Sequence, residues 1–122
     1  MGKSVHDDVL DGALAVLATA DRICVCSTQP TTYTEAITTY KLAISTTPTF
    51  TGPSNGDVSG RKLRVDEETL MTVDASGTAE HVALCISGTT KLYLVTTCTA
   101  QVLTAGNTVN IPVWDDEIAD PA

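Results

Sequence analysis

The chain has 122 residues, 15 of them acidic and 7 basic, for a formal net charge of −8 with 43% hydrophobic residues. This is one domain's worth of sequence, enough to bury roughly two-thirds of the unfolded surface in a single core. So acidic a surface repels phosphate backbones and argues against nucleic-acid binding, and neither an apolar stretch near ~18 residues nor a basic start followed by an apolar run points to a membrane span or a secretory signal.

Ser4-Val5-His6-Asp7 opens with a Ser-x-x-Asp capping signal, and Val5, Val9, Leu10, Ala13, Leu14, Val16, Leu17 and Ala20 recur at helical spacing. Asp7 and Asp8 suit the start of a helix dipole, so the pattern predicts a helix over residues 4–19 with a wide apolar stripe. That stripe suits either a sheet face or a partner protein. Residues 23–27 read as a strand closed by Gln29-Pro30, residues 33–37 as a short helical turn, and residues 40–45 as a second strand.

From Thr46 to Gly60 the composition turns to Thr, Pro, Gly, Ser and Asn, with Phe50 the one large aromatic, and this predicts a long loop. Arg61 to Val65 reads as a strand with Lys62 and Arg64 opposite Leu63 and Val65, and Leu70 to Val73 as another. Residues 78–114 then read as a β-meander, with runs at 82–87, 91–97, 102–103 and 109–114. Val82, Leu84 and Ile86 alternate with Ala83 and Cys85, while Leu92 and Leu94 oppose Tyr93 and Val95. Strands apolar on both faces call for material packed on both sides. Residues 115–122 read as a solvated acidic tail, although the run could also offer oxygen ligands to a cation.

Threonine, at 21 residues, favours pleated, half-exposed surfaces. The expected fold is therefore α+β and mainly β, an antiparallel sandwich or jelly-roll-like single domain with one N-terminal helix. The four cysteines, Cys24, Cys26, Cys85 and Cys98, lie in strand-like runs and read first as buried free thiols; a disulfide or a metal site is the weaker reading, because Cys24-Val25-Cys26 lacks zinc-ligand spacing. His6 reads as part of a solvated helix start, and His81, beside Glu80, as an exposed or hydrogen-bonded histidine. No nucleophile–base pair, phosphate-cradling glycine loop or ligand set is evident, so neither enzymatic activity nor a cofactor is expected.

Arg61, Lys62 and Arg64 are the one basic density on an acidic chain. They read either as charges protecting an edge strand or, with Phe50 and the preceding loop, as a surface for an acidic partner. On the second reading, reversing Lys62 and Arg64 to glutamate should weaken docking and leave folding intact.

Several stretches resemble a group of small proteins of tailed bacteriophages: His6-Asp-Asp-Val-Leu-Asp11, Pro30-Thr-Thr-Tyr-Thr-Glu-Ala36, Asp57-Val-Ser-Gly-Arg-Lys62, Thr72-Val-Asp-Ala-Ser-Gly77, Glu80-His-Val-Ala-Leu84, Leu103-Thr-Ala-Gly-Asn-Thr-Val109 and Trp114-Asp-Asp-Glu-Ile-Ala-Asp-Pro121. The likeness departs mainly around residues 41–51 and 66–71. It implies a virion structural component, made in the host cytoplasm and placed on the capsid surface as a decoration, or cement, protein. The implied partners are the major capsid protein and further copies of the chain, as a trimer. A head–tail, tail or fibre component and a small ligand-binding protein of the infected cell are the alternatives.

Overall fold

A computed structural model describes residues 5–119 and is mostly antiparallel β structure with one N-terminal helix. Helix α1 spans Asp7–Leu17. Its N-cap is His6, whose Nδ1 accepts a hydrogen bond from the Asp8 amide at 3.0 Å, so an imidazole does the work expected of a serine hydroxyl. Ser4 lies outside the described residues. Leu10 and Leu14, one turn apart, are buried, whereas Val9 and Val16 stay exposed. The stripe is thus narrower than its periodicity suggests.

The strands are β1 (Arg22–Cys26), β2 (Lys41–Ser45), β3 (Phe50–Asn55), β4 (Arg61–Val65), β5 (Glu68–Thr72), β6 (Gly77–Ile86), β7 (Lys91–Leu103), β8 (Thr108–Ile111) and β9 (Trp114–Ile118). A four-stranded sheet runs β2-β1-β6-β7, a three-stranded sheet β3-β4-β9 and a two-stranded sheet β5-β8. An isolated Ala43–Val73 bridge ties β2 to the end of the β5 segment.

The main core lies between the large sheet and the two small ones. Ile23 and Val25 of β1 and Val82 and Leu84 of β6 cluster with Val65, Met71, Val109 and Ile111 from the smaller sheets. The arrangement is sandwich-like, and α1 packs against β4 and β3 beside it. On the opposite face of the large sheet, Cys24, Cys26, Ala83 and Cys85 are buried under Ala36 and its neighbours. Small side chains on that face let a single π-helical turn, Glu35–Thr39, sit close to the sheet. The turn is fastened at its start: Thr32 Oγ1 accepts from the Glu35 amide at 3.1 Å, while Glu35 Oε1 accepts from the Thr31 amide and hydroxyl at 2.8 and 2.7 Å. Those bonds hold the Glu35 carboxyl below its ordinary range. β1 and the centre of β6 are therefore covered on both faces, as their double apolar pattern requires, by residues 30–40 on one side and the small sheets on the other.

Four expectations are corrected. The 46–60 loop contains β3, paired antiparallel with β4 through Phe50↔Val65 and Thr51↔Arg64, then shifted in register before Ser54↔Lys62. The acidic tail supplies β9, which pairs antiparallel with β4 over all five residues. In β7 the simple alternation fails: the ladder slips between Leu84↔Leu94 and Cys85↔Leu92, and this bulge puts Tyr93 and Leu94 on the main core while Leu92 and Val95 pack on the cysteine face. The 109–114 run is also two strands, interrupted at Pro112-Val113, where the chain changes from one small sheet to the other.

Candidate docking surface

β4 is the central strand of its sheet, so its cations do not guard an edge. The strand's pleat splits them. Arg61 lies on the same side as Leu63 and Val65 and reaches α1, its Nε 2.7 Å from Asp11 Oδ1 and its second guanidinium arm 3.3 Å from Oδ2. It also donates to Asn55 Oδ1 at 2.7 Å. Lys62 and Arg64 point to the other side. Lys62 Nζ is 2.6 Å from Asp57 Oδ1 and 3.5 Å from Asp115 Oδ2, and Arg64 Nε is 3.3 Å from Asp115 Oδ1. Asp11 and Asp57, through these bonds, raise Arg61 and Lys62 above their ordinary pKa values.

The basic cluster is thus a set of internal ties joining the helix, the β3–β4 connection and β9. Phe50 is half-buried against the main core. Glutamates in place of Lys62 and Arg64 would face Asp115 and Asp57, so the expectation that this reversal spares the fold is corrected: it sets like charges against each other across the ladder.

What those ties hold outward is the β3–β4 hairpin tip, residues 56–60. Glu117 of β9 accepts the Asp57 amide hydrogen bond, and Gly56 N donates to Gly60 O at 2.9 Å. Gly60 has φ +70°, and a Cβ there would lie 1.9 Å from the Ile118 carbonyl oxygen, so glycine is required for the hairpin to meet β9. At the tip Val58 is 90% exposed, an apolar side chain on a turn held by these hydrogen bonds. Sequence reasoning passed over Val58 because its neighbours read as loop.

A second surface lies at the open end of the sandwich. A cleft of about 630 Å³ separates residues 96–101 of β7 from the β8–β9 corner, with Val82, Val109, Ile111 and Trp114 on its apolar side. Cys98, expected to be buried, is exposed on this rim. The other three thiols are buried as expected. Cys85 and burial push Cys24 far above the thiol range, and burial pushes Cys26 up to about 12. His81 is half-buried, and its Nδ1 finds no hydrogen-bond partner in the protein, contrary to the expectation of an exposed or satisfied ring. Among the described residues no group of three or more His, Cys, Asp or Glu side chains is placed to hold a metal ion, and no helix is long and apolar enough to cross a membrane.

Comparison with known proteins finds no matching family model, no matching curated protein and no matching solved structure.

Proposed function

We propose that this chain is a structural protein of a tailed-bacteriophage virion, a decoration protein that binds the outer surface of the major capsid shell. The observation that carries the reading is the β3–β4 hairpin tip, which offers the apolar Val58 to a partner from a turn braced by Lys62 and Glu117. A pre-ordered tip loses little conformational entropy when it docks. The residue resemblance to small virion proteins supports the same reading, as does a small sandwich-like β domain of the kind decoration proteins use. Phe50, Arg61, Lys62 and Arg64 serve this role by shaping and bracing the hairpin; the shell touches the tip.

Val58→Asp tests the reading. The side chain is exposed, so the melting transition should move by no more than about 0.5 kcal/mol of stability. Occupancy on capsids should fall about tenfold or more, because a carboxylate would be desolvated at the contact. Unchanged occupancy by a folded variant would place docking elsewhere. The cleft beside β7 favours one second reading, a small ligand-binding protein of the infected cell, since its volume falls in the range of ligand sites. A protein of that kind would be absent from purified particles.

A further inference from the structure

β7 has 13 residues, more than twice the usual strand length, and lies at the edge of the large sheet. Its one ladder partner among the described residues is β6. Beyond the shift near Ala79 the two strands run on as a ribbon without β1, whose pairing with β6 covers His81 to Cys85. There Thr97 to Val102 are exposed one after another, Val102 at 78%. One face of this ribbon is covered, since Ala79 and Leu103 are buried in the main core, and the other face is open.

Natural sheets guard their edges with charge, proline, bulges or brevity. The other edges here do so. β9 carries Asp115, Asp116 and Glu117; β3 contains Pro53; β5 begins at Glu68 and is irregular at Leu70, whose φ is +56°. β2 carries Lys41 and is bridged at Ala43, and β8 is four residues long and ends before Pro112. From Leu92 to Leu103, β7 has neither a charge nor a proline, and its one guard is the pair of register shifts in its ladder with β6.

We infer that β7 is a self-pairing edge, on which a second copy of this chain adds its own β7 antiparallel about a two-fold axis. Antiparallel pairing of identical strands is isologous, so one surface satisfies both copies and the assembly closes. Charge selects this surface: two chains of net charge −8 repel over most of their area, but along β7 they meet without opposing carboxylates on the strands. The product is a continuous sheet, β2-β1-β6-β7 followed by the partner's β7-β6-β1-β2. A partner strand would also satisfy the outer backbone groups of the ribbon and cover Val102. This inference is independent of the virion reading, because it concerns the chain alone in solution.

Sedimentation equilibrium across a concentration series tests it, comparing wild type with the double substitution Thr97→Glu and Thr99→Glu. Both side chains are exposed, so circular dichroism and melting of the monomer should stay as in wild type. Wild type should form dimers, and the variant should dimerise at least tenfold more weakly. As a second measurement, one exposed cysteine at a time, at 96, 97, 99 or 100 in a Cys98→Ser background and at 98 in wild type, with Cys24, Cys26 and Cys85 left buried, should cross-link through a short bis-maleimide with yields that peak at one position and fall on either side. Wild type that stays monomeric throughout the series would overturn the inference. So would dimerisation that the double substitution leaves unchanged, or cross-linking with no such peak.

Discussion

Leu84→Ala will lower the free energy of unfolding by about 4 kcal/mol, near the upper part of the range for a fully buried leucine. Leu84 is wholly buried on β6, level with Ile23 of β1 on one side and Leu94 of β7 on the other, and it belongs to the cluster joining the large sheet to the two small ones. Removing three side-chain carbons leaves a cavity between layers that the ladders on both sides keep from collapsing. Urea denaturation should show an earlier midpoint with the slope retained. Val9→Ala on α1 is the matched control: the side chain is 62% exposed and should change stability by no more than about 0.5 kcal/mol. Equal losses from the two substitutions would show that the core is not where the packing puts it.

The second large effect has the opposite sign. Asp116→Asn will stabilise the protein near neutral pH by about 1–2 kcal/mol. Asp116 sits opposite Leu63 on β9 with its side chain on the inner side, and its Oδ2 has no hydrogen-bond partner in the protein. Burial first, and then the adjacent Asp115, push its pKa up to about 6. A shift of roughly two units corresponds to about 3 kcal/mol at full burial, reduced here because the residue is only half-buried. The unfolded chain loses this proton at lower pH than the folded one. Between about pH 4 and pH 6 the folded state therefore holds more protons, and stability falls as pH rises, reaching its full penalty above about 6. Glu68, also raised by burial, adds to the same slope. Asp21 and Glu35 are shifted down by hydrogen bonds from Ser87 and Thr31, so their contributions are present at neutral pH and are lost only on further acidification. Denaturation midpoints for the Asp116→Asn protein should fall less steeply across the pH 4–6 window, keeping the part due to Glu68; a slope as steep as in wild type would contradict the assignment.

These two sites show what was legible in the sequence and what was not. The Leu84 environment was readable: Val82 to Cys85 are apolar on both parities, and a strand with that pattern must be covered twice. The helix, β1, β2, β4 and the second half of β6 were readable for similar local reasons. Asp116 was not. An Asp-Asp-Glu run has low strand propensity and reads as solvated, yet the cross-strand pairing of Asp115 with Lys62 and Arg64 holds the run in a ladder and carries Asp116 inward. β3 was hidden for a related reason: Thr51, Gly52, Pro53 and Ser54 resemble a loop, and the register shift there accommodates residues a regular strand would reject. The basic cluster was found, but one-dimensional spacing could not show that its partners are Asp57 close by in the chain and Asp11 and Asp115 some fifty residues away on either side. Val58 and the bare edge of β7 became visible only when neighbouring strands were in place, since exposure depends on tertiary packing.

Counting copies of the chain in purified virus particles tests the virion assignment most directly. Quantitative mass spectrometry of particles freed of soluble protein gives its ratio to the major capsid protein. The expected result is a fixed, substantial ratio, reproduced between preparations and reduced when Val58→Asp replaces the wild-type chain. A few copies per particle would place the protein in the neck or tail, and its absence from particles would contradict a virion role altogether.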